Sequence, residues 1–375
     1  MVGGTVRDVL LGRAITDFDF IVPRGALDIA RDFADDSDGS LVILDEARGI
    51  ARVVLRDRTV FDFADYQRDT LDGDLRARDF TINAIAIEVH DGQLSCAPGA
   101  LEDVAGERLR CTDNAVLDED PLRLLRAVRF YCTLRFELSA ELQAAIRERA
   151  SLLESAAAER RRDELFKILQ SDRAAAGARL LADLRLAPAH WDPSHLDVIE
   201  ERVESAARPP IDVALRTHLG ARLAGERTRH GLLRWCALRH RATADEVVSE
   251  LALSRVEERM ARANQHAAAQ LGAARMLRPH DFRHFFRDAA GAGVEMLLLA
   301  SSSASLRDRA LAWYFSSEER DWARPLLSGH DIERICGLAP GPHIGQLLEA
   351  LADAQVDGLV RDLEAAEDFV RTLGC

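Results

Sequence analysis

The stretch VGGTVRDVLLGRAITDFDFIV (residues 2–22) sets a glycine pair, a short helical repeat and two aspartates in close succession. Gly3 and Gly4 open the segment VRDVLLG (6–12), which has helical spacing. Glycine lets the backbone approach an anion closely, and the N–H groups at a helix start point at it. Arg7 can add positive charge there. FDFIV (18–22) is β-branched and aromatic and is predicted to be a strand. Asp17 and Asp19 are alternate residues of that strand, so their carboxylates share a face. Two such groups repel unless a cation lies between them, and hard oxygen ligands favour magnesium. An isolated Asp-x-Asp is usually a solvated surface pair; Asp72 and Asp74 form another in a polar, loop-like stretch. The glycine turn, the helix and the aspartates together favour a metal and phosphate site at Asp17 and Asp19.

Outward from this stretch, LVIL (41–44), ARVVL (51–55), TVFDF (59–63) and AIAIEV (84–89) are further strand candidates, and ALDIARDFADD (26–36) has helical spacing. Asp62, in TVFDF, is a possible third carboxylate for a two-metal site; its ordinary reading is a surface residue at a strand end. Beyond about residue 112 strand signals nearly vanish. DPLRLLRAVRFYCTL (120–134), SAELQAAIRERASLL (139–153) and ERRRDELFKIL (159–169) are predicted helices, with Ser139 as an N-cap. From 176 onward the chain is expected to be entirely helical, broken near 208–210, 276–281 and 337–345. The predicted architecture is an α/β N-terminal head with a mixed sheet and helices (1–111), followed by an all-α neck (112–175), body and tail (176–375).

The 375 residues suggest two or three domains, with 47% apolar residues to fill their cores. A formal charge of -14 argues against a uniformly basic nucleic-acid-binding surface but leaves room for a local arginine cluster. Lys167 is the only lysine, so the positive charge is almost all guanidinium, which suits bidentate phosphate contacts. The six cysteines form no metal-ligand spacing and are expected to be reduced thiols. No apolar run is long enough to span a bilayer and the N-terminus shows no secretory pattern, so a cytoplasmic protein is expected.

Four ordered motifs make the chain resemble the class II tRNA nucleotidyltransferase and bacterial poly(A) polymerase family. GGTVRDVLLG with DFDFIV looks like its catalytic motif and RARDFTINAIAI (76–87) like its ribose-recognition motif. DEDPLRLLRAVRF (118–130) looks like its base-selecting motif, and SAAAERRRDELFKIL (155–169) like the helix closing the neck. LLSGHDIERICGLAPGPHIGQLLEALADAQVDG (326–358) also looks like the tail of many members. The resemblance implies that Asp17 and Asp19 bind Mg2+ and that Gly3, Gly4 and Arg7 line the triphosphate. Arg78, Asp79 and Asn83 would recognise the ribose, and Asp120 and Arg123 the base of CTP or ATP. Arg126, Arg129 and Arg160 would steady the triphosphate. The implied partner is the tRNA acceptor arm, with CTP and ATP as substrates and a nucleotidyltransferase head at the N-terminus. Members of the family carry about one more strand before the glycines, so the first strand of the sheet is expected to be incomplete.

The residues agree with this chemistry. Aspartate accepts and arginine donates, and at i and i+3 the two share a helix face that can read a base edge. The ordinary reading of Asp120 and Arg123 is an intrahelical ion pair. The segment Cys96-Ala97-Pro98-Gly99-Ala100 departs from the family's usual Asp-Pro-x-Gly-Gly, which leaves CCA, CC-only, A-only and poly(A) addition open. A silent RNA-binding protein is a remote alternative. A His-Asp phosphohydrolase lacks a full ligand set, since His280-Asp281 and His330-Asp331 are isolated.

Overall fold

The computed structural model describes residues 1–15, 17–273, 278–289, 291–300, 303–316 and 324–374. The chain divides into two compact units, Met1–Pro188 and Ala189–Cys375.

In the first unit, α1 (Gly4–Leu10) leads into β1 (Asp17–Val22), α2 (Ala26–Ser37), β2 (Ser40–Asp45), β3 (Ile50–Val54) and β4 (Val60–Asp65). The four strands form one sheet in the order β1-β4-β3-β2, with β1 parallel to β4 and the other pairs antiparallel. The period-2 pattern of DFDFIV and VFDFAD explains its two faces. Phe18, Phe20, Phe61 and Phe63 stack on one face, with centroids 5.0 Å apart for Phe18–Phe61 and 5.4 Å for Phe20–Phe63. Ala26, Ala30 and Ala34 of α2 pack there against Ala51, Val53 and Phe63. The opposite face therefore carries Asp17, Asp19 and Asp62, and the register sets Asp19 beside Asp62 and Asp62 beside Arg52.

α3 (Leu71–Arg76) and a 3-10 turn (Thr81–Asn83) follow, then a two-stranded ladder of β5 (Ile85–Ile87) and β6 (Leu94–Cys96). The strand expected over 84–89 is thus confined to three residues. After α4 (Ala100–Ala105) comes β7 (Arg108–Leu109), which pairs with β8 (Glu137–Leu138); sequence reading missed both because two residues carry no periodicity. The remaining helices of the first unit are α5 (Val116–Glu119), α6 (Leu122–Leu134), α7 (Ala140–Arg149), α8 (Ala158–Leu169) and α9 (Ala174–Asp183). Ser139 caps α7, its hydroxyl accepting from the Leu142 N–H at 3.2 Å. The expected helix over 139–153 changes to a 3-10 turn from Ala150.

Among the described residues the second unit is helical apart from a short hairpin, Arg222–Ala224 with Arg227–Thr228, which corrects the expectation of helix alone. Helix breaks fall at 208–210, where Pro209–Pro210 is cis, and between Cys336 and Pro342. Part of the expected break over 276–281 lies outside the described residues. No helix among the described residues is long and apolar enough to cross a membrane. Cys96, Cys111, Cys132 and Cys236 are free thiols; Cys336 is disulfide-bonded, so the all-reduced expectation fails there.

Candidate active site

The first unit brings the four motifs to one region. Gly3 adopts φ 66°, donates its N–H to the Ile85 carbonyl at 2.9 Å and accepts from the Arg7 N–H. A Cβ on Gly3 would lie 2.6 Å from Arg78 Nη1, so this turn and the Arg78 guanidinium share one space. Gly3→Ala is accordingly expected to cost about 1 kcal/mol from the positive φ alone and to push Arg78 out of place. Denaturant unfolding and incorporation assays check the two effects; unchanged values for both would show that the turn tolerates a side chain.

Thr5 tethers α1 to the acidic strand: its hydroxyl accepts from the Asp19 N–H at 2.8 Å and donates to the Asp17 carbonyl at 3.2 Å. The Asp19 carboxyl is pushed up, first by burial and then by the nearby Asp62 charge, with Arg78 pulling it back. Burial and a neighbouring carboxylate both disfavour the charged form of such a group, and a bound cation would favour it. The donors are hard carboxylate oxygens, two on β1 and one alongside on β4, which fits a divalent ion. Both Asp62 oxygens already accept from Arg52, at 2.8 Å each. Asp62 is thereby held as a neighbour of Asp19, and it can ligate only by giving up part of Arg52. Among the described residues, the sole set of three His, Cys, Asp or Glu ligand atoms mutually within 4.8 Å is His284, Glu349 and Asp353 in the second unit. Arg283 donates to Glu349 and Asp353 there, at 3.0 and 2.7 Å.

Asp79 is the buried hub of the ribose motif. Its Oδ1 accepts from the Phe80 N–H and from Asn83 Nδ2, and its Oδ2 accepts from Arg126 Nε at 2.8 Å. Burial alone pushes this carboxyl up, but Arg126 and the hydrogen bonds outweigh it and hold it below the usual range. Asn83 in turn accepts from Arg7 Nη1 at 2.6 Å. Arg7 also donates to both oxygens of Asp8, so the guanidinium expected to line the triphosphate is buried and engaged by Asn83 and Asp8. Arg129 is likewise engaged, donating to Glu164 at 3.1 Å. Phe130 gathers these cations: the carbons of the Arg7, Arg126 and Arg129 guanidiniums lie 5.4, 5.6 and 4.5 Å from its ring centre. Cation–π attraction and the carboxylates of Asp8, Asp79 and Glu164 offset the repulsion among three like charges.

Asp120 and Arg123 do not form the intrahelical pair. Pro121 disfavours helix at the residue before it, and Asp120 is extended (φ -141°, ψ 101°). Its Oδ1 accepts from the Leu122 N–H at 3.1 Å at the start of α6, and its Oδ2 accepts from Arg160 Nη2 of α8 at 3.0 Å. Arg123 donates to the carbonyls of Val116 (2.9 Å) and Ala77 (3.2 Å). A cavity of about 420 Å³ is lined by Arg78, Asp79, Asp120, Arg123, Arg126 and Arg160, with Glu164 in its wall. A second cavity of about 660 Å³ shares Arg78, Asp120, Arg123 and Arg160 with it and reaches Ile21, Ile50 and Ala64. These three residues lie on the aspartate face of the sheet. The ribose and base motifs thus meet in one space; Asn83, Arg7 and Arg129 stand behind its wall.

Sequence reading missed Arg52, Glu164, Phe130 and Asp74. Arg52 was legible as the cross-strand neighbour of Asp62, and Glu164 as the residue one turn beyond Arg160. The Phe130 cluster has no local pattern. Asp74, read as part of a loop, is buried in α3 and pairs with Arg78 at 3.5 Å.

Residues 1–110 match the model of the poly A polymerase head domain, and residues 135–190 that of a probable RNA and SrmB-binding site of polymerase A. The CC-adding tRNA nucleotidyltransferase of Geobacter sulfurreducens is 33% identical over 398 residues, covering 98% of this chain and 90% of that protein. The chain belongs to the tRNA nucleotidyltransferase and poly(A) polymerase family. It is therefore a nucleotidyltransferase, and the family's chemistry uses a divalent metal. The A-adding tRNA nucleotidyltransferase of Deinococcus radiodurans is another relative, 32% identical with 99% of this chain and 94% of that protein covered. The fold agrees: a Thermotoga maritima CCA-adding enzyme complexed with tRNA superposes with a TM-score of 0.76 at 23% identity, over 99% of this chain and 90% of that one.

Proposed function

We propose that this enzyme adds CCA, or part of it, to tRNA 3′ ends from CTP and ATP, releasing pyrophosphate. The observation that carries the reading is the cavity in which Arg78, Asp120, Arg123, Arg126 and Arg160 converge. Asp17 and Asp19 would hold magnesium, which when bound would supply Lewis-acid activation for the RNA 3′-hydroxyl and neutralise charge on the triphosphate. Asp62 stands by as a third carboxylate, positioned by Arg52. Gly3 and Gly4 give the triphosphate close access to the backbone, and Arg126 and Arg160 bind it, with Arg7 and Arg129 bracing from behind. Arg78 contacts the ribose side, while Asp79 holds Arg126 and Asn83 steadies Asp79 and Arg7. Asp120 accepts from the amino group of the base and Arg123 donates to its acceptors.

In this reading residues 1–111 are the catalytic head and 112–175 the base-reading neck. Residues 176–375 bind the tRNA acceptor arm by backbone and shape, and the enzyme works in the cytoplasm. Binding through arginines predicts that tRNA affinity falls as salt rises, checked by titration at several ionic strengths; salt-insensitive binding would contradict it.

The reading is tested with tRNA transcripts ending before the first C, after C and after CC, each offered CTP, ATP or both. The relatives' names differ in how much of CCA they add, so the product sequences decide the extent. Extension of the first transcript by C residues, or of the transcript ending in CC by a single A, is expected; extension only by long A tails would overturn the tRNA reading.

A further inference from the structure

Asp120 and Arg160 face each other across the cavity, 40 residues apart in sequence and 3.0 Å apart in space. They belong to different tasks. Asp120 reads the base; Arg160 serves the triphosphate. In the structure each occupies the other. The Asp120 Oδ1 already accepts from the Leu122 N–H at the start of α6, so Oδ2 is the oxygen available to a base. That oxygen holds Arg160. The Arg160 side chain is 61% exposed, and among the described residues Asp120 is its charge partner, so the guanidinium is held mainly by this pair. Exchange is inexpensive, because such an exposed pair is worth about 1 kcal/mol or less.

We propose that Arg160 is a specificity-determining residue: an amino group on the incoming base takes its place on Asp120 and frees it for the triphosphate. Cytosine and adenine both carry an exocyclic amino donor, N4 or N6, whereas the uracil and guanine edges carry a carbonyl at the corresponding position. A carbonyl cannot replace a guanidinium as donor to a carboxylate. With UTP or GTP, Arg160 therefore stays on Asp120 and the triphosphate is held by fewer cations. Base identity is thereby converted into phosphate grip, and the chain selects C and A without enclosing either base tightly. The inference rests on the assignment of this cavity to the nucleotide.

Two measurements test it by binding alone. On the unmodified protein, the affinity gained from CMP to CTP is compared with that from UMP to UTP. The coupling predicts a gain about threefold larger for the cytidine pair, and equal gains would overturn it. In a second set, inorganic tripolyphosphate is titrated into the wild type, Asp120→Asn, Arg160→Ala and the double variant. Asp120→Asn is expected to bind it about threefold more tightly, and Arg160→Ala to abolish that gain. A gain that persists without Arg160 would show only the removal of a nearby negative charge and would overturn the coupling. Failure of CTP or tripolyphosphate to bind the wild type at all would instead overturn the assignment of the cavity.

Discussion

Asp17→Asn and Asp19→Asn are each expected to lower CTP incorporation by about three orders of magnitude or more while the protein stays folded. Metal-assisted transfer contributes several kcal/mol to the barrier, and each 1.4 kcal/mol is tenfold in rate. Stability runs the other way. Asp19's carboxyl is raised in the folded state, so the fold binds its proton more tightly than the unfolded chain does. Its charge costs stability at neutral pH, and that cost disappears as pH falls through the raised value and below the unfolded one, about 3.9. Asp19→Asn removes the cost. Without divalent ions, the variant is expected to unfold at the same or a higher denaturant midpoint than wild type at pH 7. Added magnesium should stabilise the wild type and leave the variant behind. A variant that loses activity and also unfolds more easily without metal would mean that Asp19 is structural.

Asp79→Ala is expected to have the largest effect on stability, about 3–5 kcal/mol, because it leaves Arg126 half-buried and unpaired beside Arg7 and Arg129. It also strips Asn83 and the Phe80 N–H of their acceptor. The pH dependence has the opposite sign to that of Asp19. Asp79's carboxyl is depressed in the fold, so its contribution is complete above the unfolded value and is lost as pH falls through the folded one. Denaturant unfolding at pH 7 and pH 3 checks both points: the gap between wild type and variant should narrow in acid. A gap that is small at pH 7 would show that solvent satisfies Arg126.

The strand that carries the proposed metal ligands was legible because its pattern is local. DFDFIV alternates, one face must be buried, and the phenylalanines can only be the buried set; Asp17 and Asp19 follow on the other face. The same logic reached Asp62 through TVFDF. The residues proposed to read the base, Asp120 and Arg123, were legible in identity but not in geometry. Spacing put Asp120 and Arg123 on one helix, yet Pro121 starts α6 after Asp120 and turns that carboxylate toward α8. Its partner, Arg160, is 40 residues away, beyond the reach of any periodicity. Arg7 and Arg129 show the same limit. A basic residue in a phosphate-binding motif reads as a ligand, and nothing local announces the partners the two find here, Asp8 and Asn83 for Arg7 and Glu164 for Arg129, around Phe130. The β7–β8 pair and the hairpin at 222–228 were too short to carry a signal.

The most direct measurement of the central claim is magnesium-dependent extension of a tRNA transcript lacking its terminal CCA, with CTP and ATP supplied and the products sequenced. The account predicts untemplated C residues at the 3′ end, with or without a final A, or a single A on the same transcript already ending in CC, dependent on divalent metal and absent from Asp19→Asn. No extension by the folded wild type, or extension that survives in Asp19→Asn, would contradict it.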